Sequence, residues 1–286
     1  MNEPEFLALL RPLATHPAAR GLADDTAVLR DLVLTHDMLV EGVHFLPSDP
    51  AGDVAWKLLA VNLSDLAAKG ATPTGVLMGY ALTGDSAWDA AFVAGLAAAL
   101  AHFGVPLLGG DTVALSAQAQ RVLSLTAIGQ SALAPARSGA KPGDTLWVTG
   151  IIGRAGLGMG GDPAHLSAYR RPTPRLAEGR ALAPHVHAMM DVSDGLLIDA
   201  QRMAEASGLA VTIHLDAVPL VGDPLAAVTA GDDYELLFAA PVGFVPAVPA
   251  TAIGGFEPGE GLRLRRDGVA IALPDRLGWL HAPPGH

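Results

Sequence analysis

The chain contains no cysteine in its 286 residues. That single absence excludes disulfides, iron–sulfur clusters, thiolate zinc sites and a cysteine nucleophile. Positive charge is also scarce: 18 Lys and Arg stand against 29 Asp and Glu, a net charge of −11. Nucleic-acid affinity rests on neutralising phosphates with Lys and Arg, so no nucleic-acid partner is expected. The longest apolar stretch, Ala90 to Ala101, falls short of the roughly 20 residues that span a bilayer. Met1-Asn2-Glu3-Pro4-Glu5 carries neither the basic nor the apolar region of a signal peptide. The expectation is a cytoplasmic protein with no membrane partner. Nucleotide motifs are missing as well. There is no Gly-x-x-x-x-Gly-Lys-Ser/Thr loop and no His-Arg-Asp catalytic loop. The turn Gly150 to Gly156 has the wrong spacing for a dinucleotide fingerprint and reads as packing. His185-Val186-His187 lacks the further ligands that zinc requires.

What remains is a globular composition, half apolar and 16% charged, long enough for two domains. Periodicity predicts alternating helices and strands. A helix is expected over 4–13, with Phe6, Leu7, Leu10 and Leu13 at helical spacing, then strands over 26–29 and 32–35. A helix over 53–69, a strand over 75–82, a helix over 86–102 and strands near 106–108 and 122–128 follow. Residues 134–143, rich in Pro, Gly and basic side chains, read as a linker. A second α/β unit continues with strands over 145–149, 188–190, 210–215 and 235–239 and helices near 175–182 and 196–207.

Asp outnumbers Glu by 21 to 8, and the positions of these residues say more than their number. Asp25 and Asp37 flank a strand pair centred on Asp31. A hairpin turning at 29–32 would bring both carboxylates to its open end, whereas one straight strand would hold them about 40 Å apart. Asp65 lies on a helix with almost no polar face, beside Asn62 one turn earlier. A carboxylate there needs a cation or several hydrogen bonds to stay charged, and Lys69 at i+4 could supply an ordinary ion pair. Gly109-Gly110-Asp111-Thr112 ends an apolar run, with glycines that let backbone amides approach a phosphate. Asp191-Val192-Ser193-Asp194-Gly195 ends another; capping of the next helix accounts for Ser193 or Asp194 but not for Asp191. Carboxylate-bearing sites that repeatedly end apolar elements offer oxygen-only ligands suited to Mg²⁺, in particular Mg²⁺ shared with phosphates.

These segments, taken in order, resemble the thiamine-monophosphate kinase family. The matching motifs run from Gly21-Leu22-Ala23-Asp24-Asp25 through Thr35-His36-Asp37 and Gly42-Val43-His44-Phe45 to Ala60 to Ala68. They continue through Leu108 to Thr112, Arg137 to Asp144, Asp191 to Leu196 and Gly231 to Leu236. The resemblance implies an α/β fold of two domains of the aminoimidazole-ribonucleotide-synthetase type, residues 1–134 and 135–286, with mixed sheets packed against helices. It also implies a homodimer formed by the N-terminal domains. Asp25, Thr35, His36, Asp37, Asp65, Asp111, Asp191 and Asp194 match positions that organise several Mg²⁺ ions. Gly110, Asp111, Arg137 and Ser193 match ATP contacts, and His44, Asp232 and Trp279 match positions that hold thiamine monophosphate. The implied reaction is direct in-line transfer of the γ-phosphoryl group of ATP to thiamine monophosphate, with no covalent nucleophile on the protein. Ala23 stands where the family has glycine, His36 where it has Ser or Thr, and Asp232 where it has Glu. Other ATP-dependent members of the superfamily share the aspartate scheme, and a catalytically silent thiamine-phosphate-binding protein would share the motifs.

Overall fold

The computed structural model describes residues 2–116 and 119–280. Helix α1 (Glu3–Leu10) starts in a capping box, with Asn2 and Glu5 each accepting the other's backbone N–H. A 3-10 turn at Arg11–Leu13 follows, so the expected helix over 4–13 is split, and Phe6 and Leu13 of its apolar stripe stay exposed. Strands β1 (Ala27–Leu29) and β2 (Leu32–Val40) form the expected hairpin, with Leu29 opposite Leu32 and Arg30 at a φ of 61° in the turn.

Helix α2 (Ala51–Ala68), strand β3 (Thr72–Leu82), helix α3 (Ser86–Phe103), strand β4 (Leu107–Ala114) and strand β5 (Val122–Gln130) complete the first unit. Its sheet has the order β1-β2-β5-β3-β4, with β3 and β4 parallel and the other pairs antiparallel. β4 does not end at Leu108 as the apolar run predicts. It runs on through both glycines, because β3 passes so close that a Cβ on Gly110 would lie 1.9 Å from the Met78 carbonyl oxygen. Asp111 therefore sits inside a strand and does not end one.

The second unit contains β6 (Thr145–Thr149), α4 (Arg154–Met159), α5 (Leu166–Arg170), α6 (Leu176–Leu182), β7 (Ala188–Asp191) and α7 (Leu196–Ser207). After these come β8 (Ala210–His214), α8 (Pro224–Ala230), β9 (Leu236–Ala240), β10 (Ala250–Glu257), β11 (Gly261–Arg266) and β12 (Val269–Ile271). Its sheet is ordered β12-β11-β8-β10-β6-β9-β7, with only β11 and β8 parallel. The glycine turn before α4 is packing, as its spacing predicts: a Cβ on Gly153 would lie 2.6 Å from that of Ala227.

Helix α2 joins the two units. Leu58, Leu59, Leu63 and Leu66 are fully buried against the first sheet, each contributing about 1.5–3 kcal/mol by leaving water. On its other side Ala67 and Ala68 pack against Leu182, Met189 and Phe238 of the second unit. Small residues permit that approach, since a Cβ on Gly179 would lie 1.9 Å from the Ala67 carbonyl oxygen. The missing solvent face of this helix follows from its place between two cores. Among the described residues α3 is the one helix long and apolar enough to cross a membrane by length and composition. It packs on the first unit through Phe92, Leu96 and Ala99.

Candidate active site

The C-terminal half of α2, the open end of the β1–β2 hairpin and the end of β7 converge on one cavity of about 300 Å³. Asp25, Asp37, Asp65, Asp191 and Asp194 line it together. The hairpin places Asp25 and Asp37 at its open end, as their symmetry about Asp31 requires. Asp25, Asp65 and Asp191 each present a carboxylate oxygen, and these oxygens all lie within 4.8 Å of one another. Residues on the facing elements hold them in place. The Thr35 hydroxyl donates to Asp65, the Ser64 hydroxyl donates to Asp191 at 2.5 Å, and Asn62 accepts the Asp37 backbone N–H at 3.1 Å.

The cations nearby are spent on one side of this cluster. Arg137 pairs with Asp25, while Lys69 reaches Asp24 at 2.5 Å and Asp25 at 3.3 Å and donates to the Met189 carbonyl at 3.1 Å. Lys69 thus does not make the alternative i+4 ion pair with Asp65. Burial alone would raise the Asp25 carboxyl, but Arg137 and Lys69 outweigh it and hold it down at about 2. The others go the opposite way. Burial, then the Asp25 and Asp194 charges, pushes Asp37 up to about 6. Burial, then Asp25, pushes Asp191 up to about 8, against the hydroxyl of Ser64. Asp65 is raised well above the usual carboxylate range by burial and by Asp37, Asp191 and Asp25. Like charges this close ionise together only when a cation joins them. The donor set is oxygen throughout, so the residues present fit a hard divalent ion.

Beyond this cluster the cavity is walled by Val61, His44, Tyr234, Asp232, Met159 and Trp279. The His44 Nδ1 accepts the Val40 N–H at 3.0 Å. Asp232, at a φ of 66°, pairs with Lys57 and accepts the Tyr234 hydroxyl at 2.9 Å. Trp279 is half exposed and is anchored by its backbone N–H to the Asp194 carbonyl at 2.8 Å. The three residues expected to meet the acceptor therefore all line this one cavity.

Other expected site residues lie elsewhere. His36 alternates with Thr35 and Asp37 along β2, so it faces away from α2 and bonds Thr126 at 2.8 Å through Nδ1. Gly110 and Asp111 stand on exposed β4, with β3 and β5 between them and β2. Three interstrand spacings amount to about 14 Å. Arg137 reaches the cavity only through Asp25.

The loop before α7 removes the capping alternative for Ser193 and Asp194. Neither Ser193 nor Asp194 caps that helix. Instead Asp199, fully buried in its first turn, accepts the backbone N–H groups of Ser193, Asp194 and Gly195 at 3.1–3.2 Å. Arg202 braces the arrangement by pairing with both Asp194 and Asp199. Ser193 and Asp194 both line the cavity. Lys57, Ser64, Asp199 and Arg202 escaped the sequence reading. Ser64 and Lys57 had a signal, being polar residues on a helix that tolerates few; the backbone partners of Asp199 leave no pattern.

The chain matches two family models, AIR synthase related protein, N-terminal domain, over residues 23–131, and AIR synthase related protein, C-terminal domain, over residues 141–262. It is 40% identical to the thiamine-monophosphate kinase of Caulobacter vibrioides, with 96% of this chain and 88% of that one covered. It is 36% identical to the thiamine-monophosphate kinase of Salmonella typhimurium, covering 91% of each. In three dimensions it is similar to AaThiL complexed with AMPPCP and TMP, at a TM-score of 0.86 and 28% identity, with 98% of this chain and 97% of that one covered.

Proposed function

The chain belongs to the thiamine-monophosphate kinase family, and we propose that it performs that family's reaction with Mg²⁺ held by its buried aspartates. It is an ATP-dependent kinase that phosphorylates thiamine monophosphate to thiamine diphosphate. The observation that carries the metal reading is the cluster of Asp25, Asp65 and Asp191, buried oxygens within 4.8 Å that lack enough cationic partners. Bound there, Mg²⁺ supplies the positive charge that offsets the phosphates and the charge developing on the transferred phosphoryl group.

The chain's own residues orient the two substrates. Asp25, Asp37, Asp65 and Asp191 would hold the metal, with Thr35 and Ser64 fixing two of these carboxylates. Asp194 and Ser193 bring the loop braced by Asp199 to the same cavity. In the same cavity Trp279 offers an aromatic face to the cationic rings of the acceptor, with His44 and Asp232 also lining it. In-line transfer to an acceptor phosphate needs positioning and charge neutralisation and no protein nucleophile. We also infer a homodimer, formed by the sheet face turned away from α2, where Leu77 and Leu108 are exposed. A cytoplasmic location, where ATP and Mg²⁺ are supplied, fits this reaction.

Coupled ADP release with ATP and Mg²⁺ tests the proposal, comparing thiamine monophosphate, free thiamine and formylglycinamidine ribonucleotide as acceptors. Release with thiamine monophosphate alone, lost on adding EDTA, is the expected outcome. Release that persists in EDTA would overturn the metal role.

A further inference from the structure

Lys57 is 2% exposed, yet it carries an ammonium group near the middle of α2. A buried ammonium is costly unless partners surround it. Those partners come from three other segments. Lys57 Nζ pairs with the Asp232 carboxylate, donates to the His44 carbonyl at 2.9 Å and sits 4.2 Å from the centre of the Tyr169 ring. His44 follows β2, Tyr169 belongs to α5, and Asp232 lies between α8 and β9. Lys57 therefore gathers two of the three cavity residues expected to meet the acceptor without lining the cavity itself.

Its place on the helix adds a second fact. Lys57, Val61 and Asp65 are spaced i, i+4 and i+8, so they form one stripe, and Val61 and Asp65 line the cavity. A rise of 1.5 Å per residue separates Lys57 from Asp65 by about 12 Å along the axis. One rigid element thus holds the carboxylate cluster at one point and the Asp232 carboxylate at another. The left-handed backbone of Asp232 and its N–H bond of 2.7 Å to the Ser193 carbonyl leave the side chain dependent on Lys57 and Tyr234 for its orientation.

We propose that Lys57 is a positioning residue for the acceptor. It holds Asp232 and the His44 turn at a set distance from Asp65, and so determines the affinity for thiamine monophosphate without touching it. The proposal rests on the kinase reading above.

The test is steady-state kinetics on wild type, Lys57→Met, Asp232→Asn and the double variant, with folding checked by circular dichroism and thermal melting. Lys57→Met is expected to raise KM for thiamine monophosphate about tenfold or more, with kcat changed less than about threefold and KM for ATP less than about twofold. The double variant is expected to be no worse than the weaker single variant, since both act through one pair. A merely structural lysine would lower the melting temperature and leave KM for thiamine monophosphate unchanged in the folded protein; that result overturns the proposal. Should Lys57→Met fail to fold, the double variant, which buries no unpaired charge, is compared with Asp232→Asn: equal KM values support the pairing, and a further tenfold rise refutes it. Wild type that releases no ADP with thiamine monophosphate overturns the kinase reading itself, an outcome visible before any variant is compared.

Discussion

A carboxylate buried among other carboxylates releases its proton reluctantly, and Asp191 and Asp65 show why this cluster demands a cation. Both are nearly sealed from water, and both have a hydroxyl as their side-chain partner while Lys69 and Arg137 are drawn to Asp24 and Asp25. The folded pKa values of Asp37 and Asp191, about 6 and about 8, lie above the 3.8 of the unfolded chain. Between about pH 4 and pH 8 the native state therefore binds more protons than the unfolded state, and stability falls as pH rises through that window. In EDTA the melting temperature is expected to drop between about pH 5 and about pH 8, a loss on the order of a few kcal/mol. Asp191→Asn should flatten that slope and melt higher than wild type at the upper end. A melting temperature that climbs steadily with pH in EDTA would contradict the charge assignment. Mg²⁺ at the upper pH should restore stability to wild type more than to the variant, because binding to the native state alone stabilises it.

At the scale of elements, α2 and the turn before α7 do most to build the site. α2 was legible as buried because its sequence offers no polar face, and Asn62 and Asp65 were legible as exceptions to that rule. Its neighbours were not. The close contact between Gly179 and the Ala67 carbonyl comes from a segment more than a hundred residues away. Gly179→Ala is expected to destabilise the fold by about 1–3 kcal/mol, because the added Cβ meets backbone that has nowhere to yield. A urea midpoint equal to that of wild type would show that α6 moves away at no cost. The turn before α7 makes the complementary point. Ser193 and Asp194 were readable as helix caps by residue type, yet the carboxylate that satisfies the turn is Asp199, inside the helix. A residue that bonds three consecutive N–H groups has no sequence signature, since its partners are main chain.

The molecule is two mixed sheets packed with helices, with a cavity between the units, and one face of the first sheet is open. Leu77 is 40% exposed and Leu108 is 56% exposed on the side turned from α2. Pairing of two copies through this face would withdraw those side chains from water. Light scattering on a sizing column is expected to report twice the 29.2 kDa chain mass. Leu77→Glu combined with Leu108→Glu should yield a monomer with its melting transition intact. A wild-type monomer at micromolar concentration would remove the homodimer from the proposal.

Residue chemistry along the chain was enough to exclude thiols and a P-loop motif, to place most helices and strands, and to single out Asp25, Asp37, Asp65 and Asp191. These are local facts, carried by periodicity and by polar residues in apolar company. Three features were not local. The extension of β4 through Gly109 and Gly110, which puts Asp111 on an edge strand, depends on how close β3 passes. The attachment of Lys69 to Asp24 and Asp25 and away from Asp65 depends on where the hairpin folds back. The link from Lys57 to Asp232 spans 175 positions in sequence. Each is settled by which backbones pack against one another, and a side chain chooses its partner only after that packing has brought the candidates within reach.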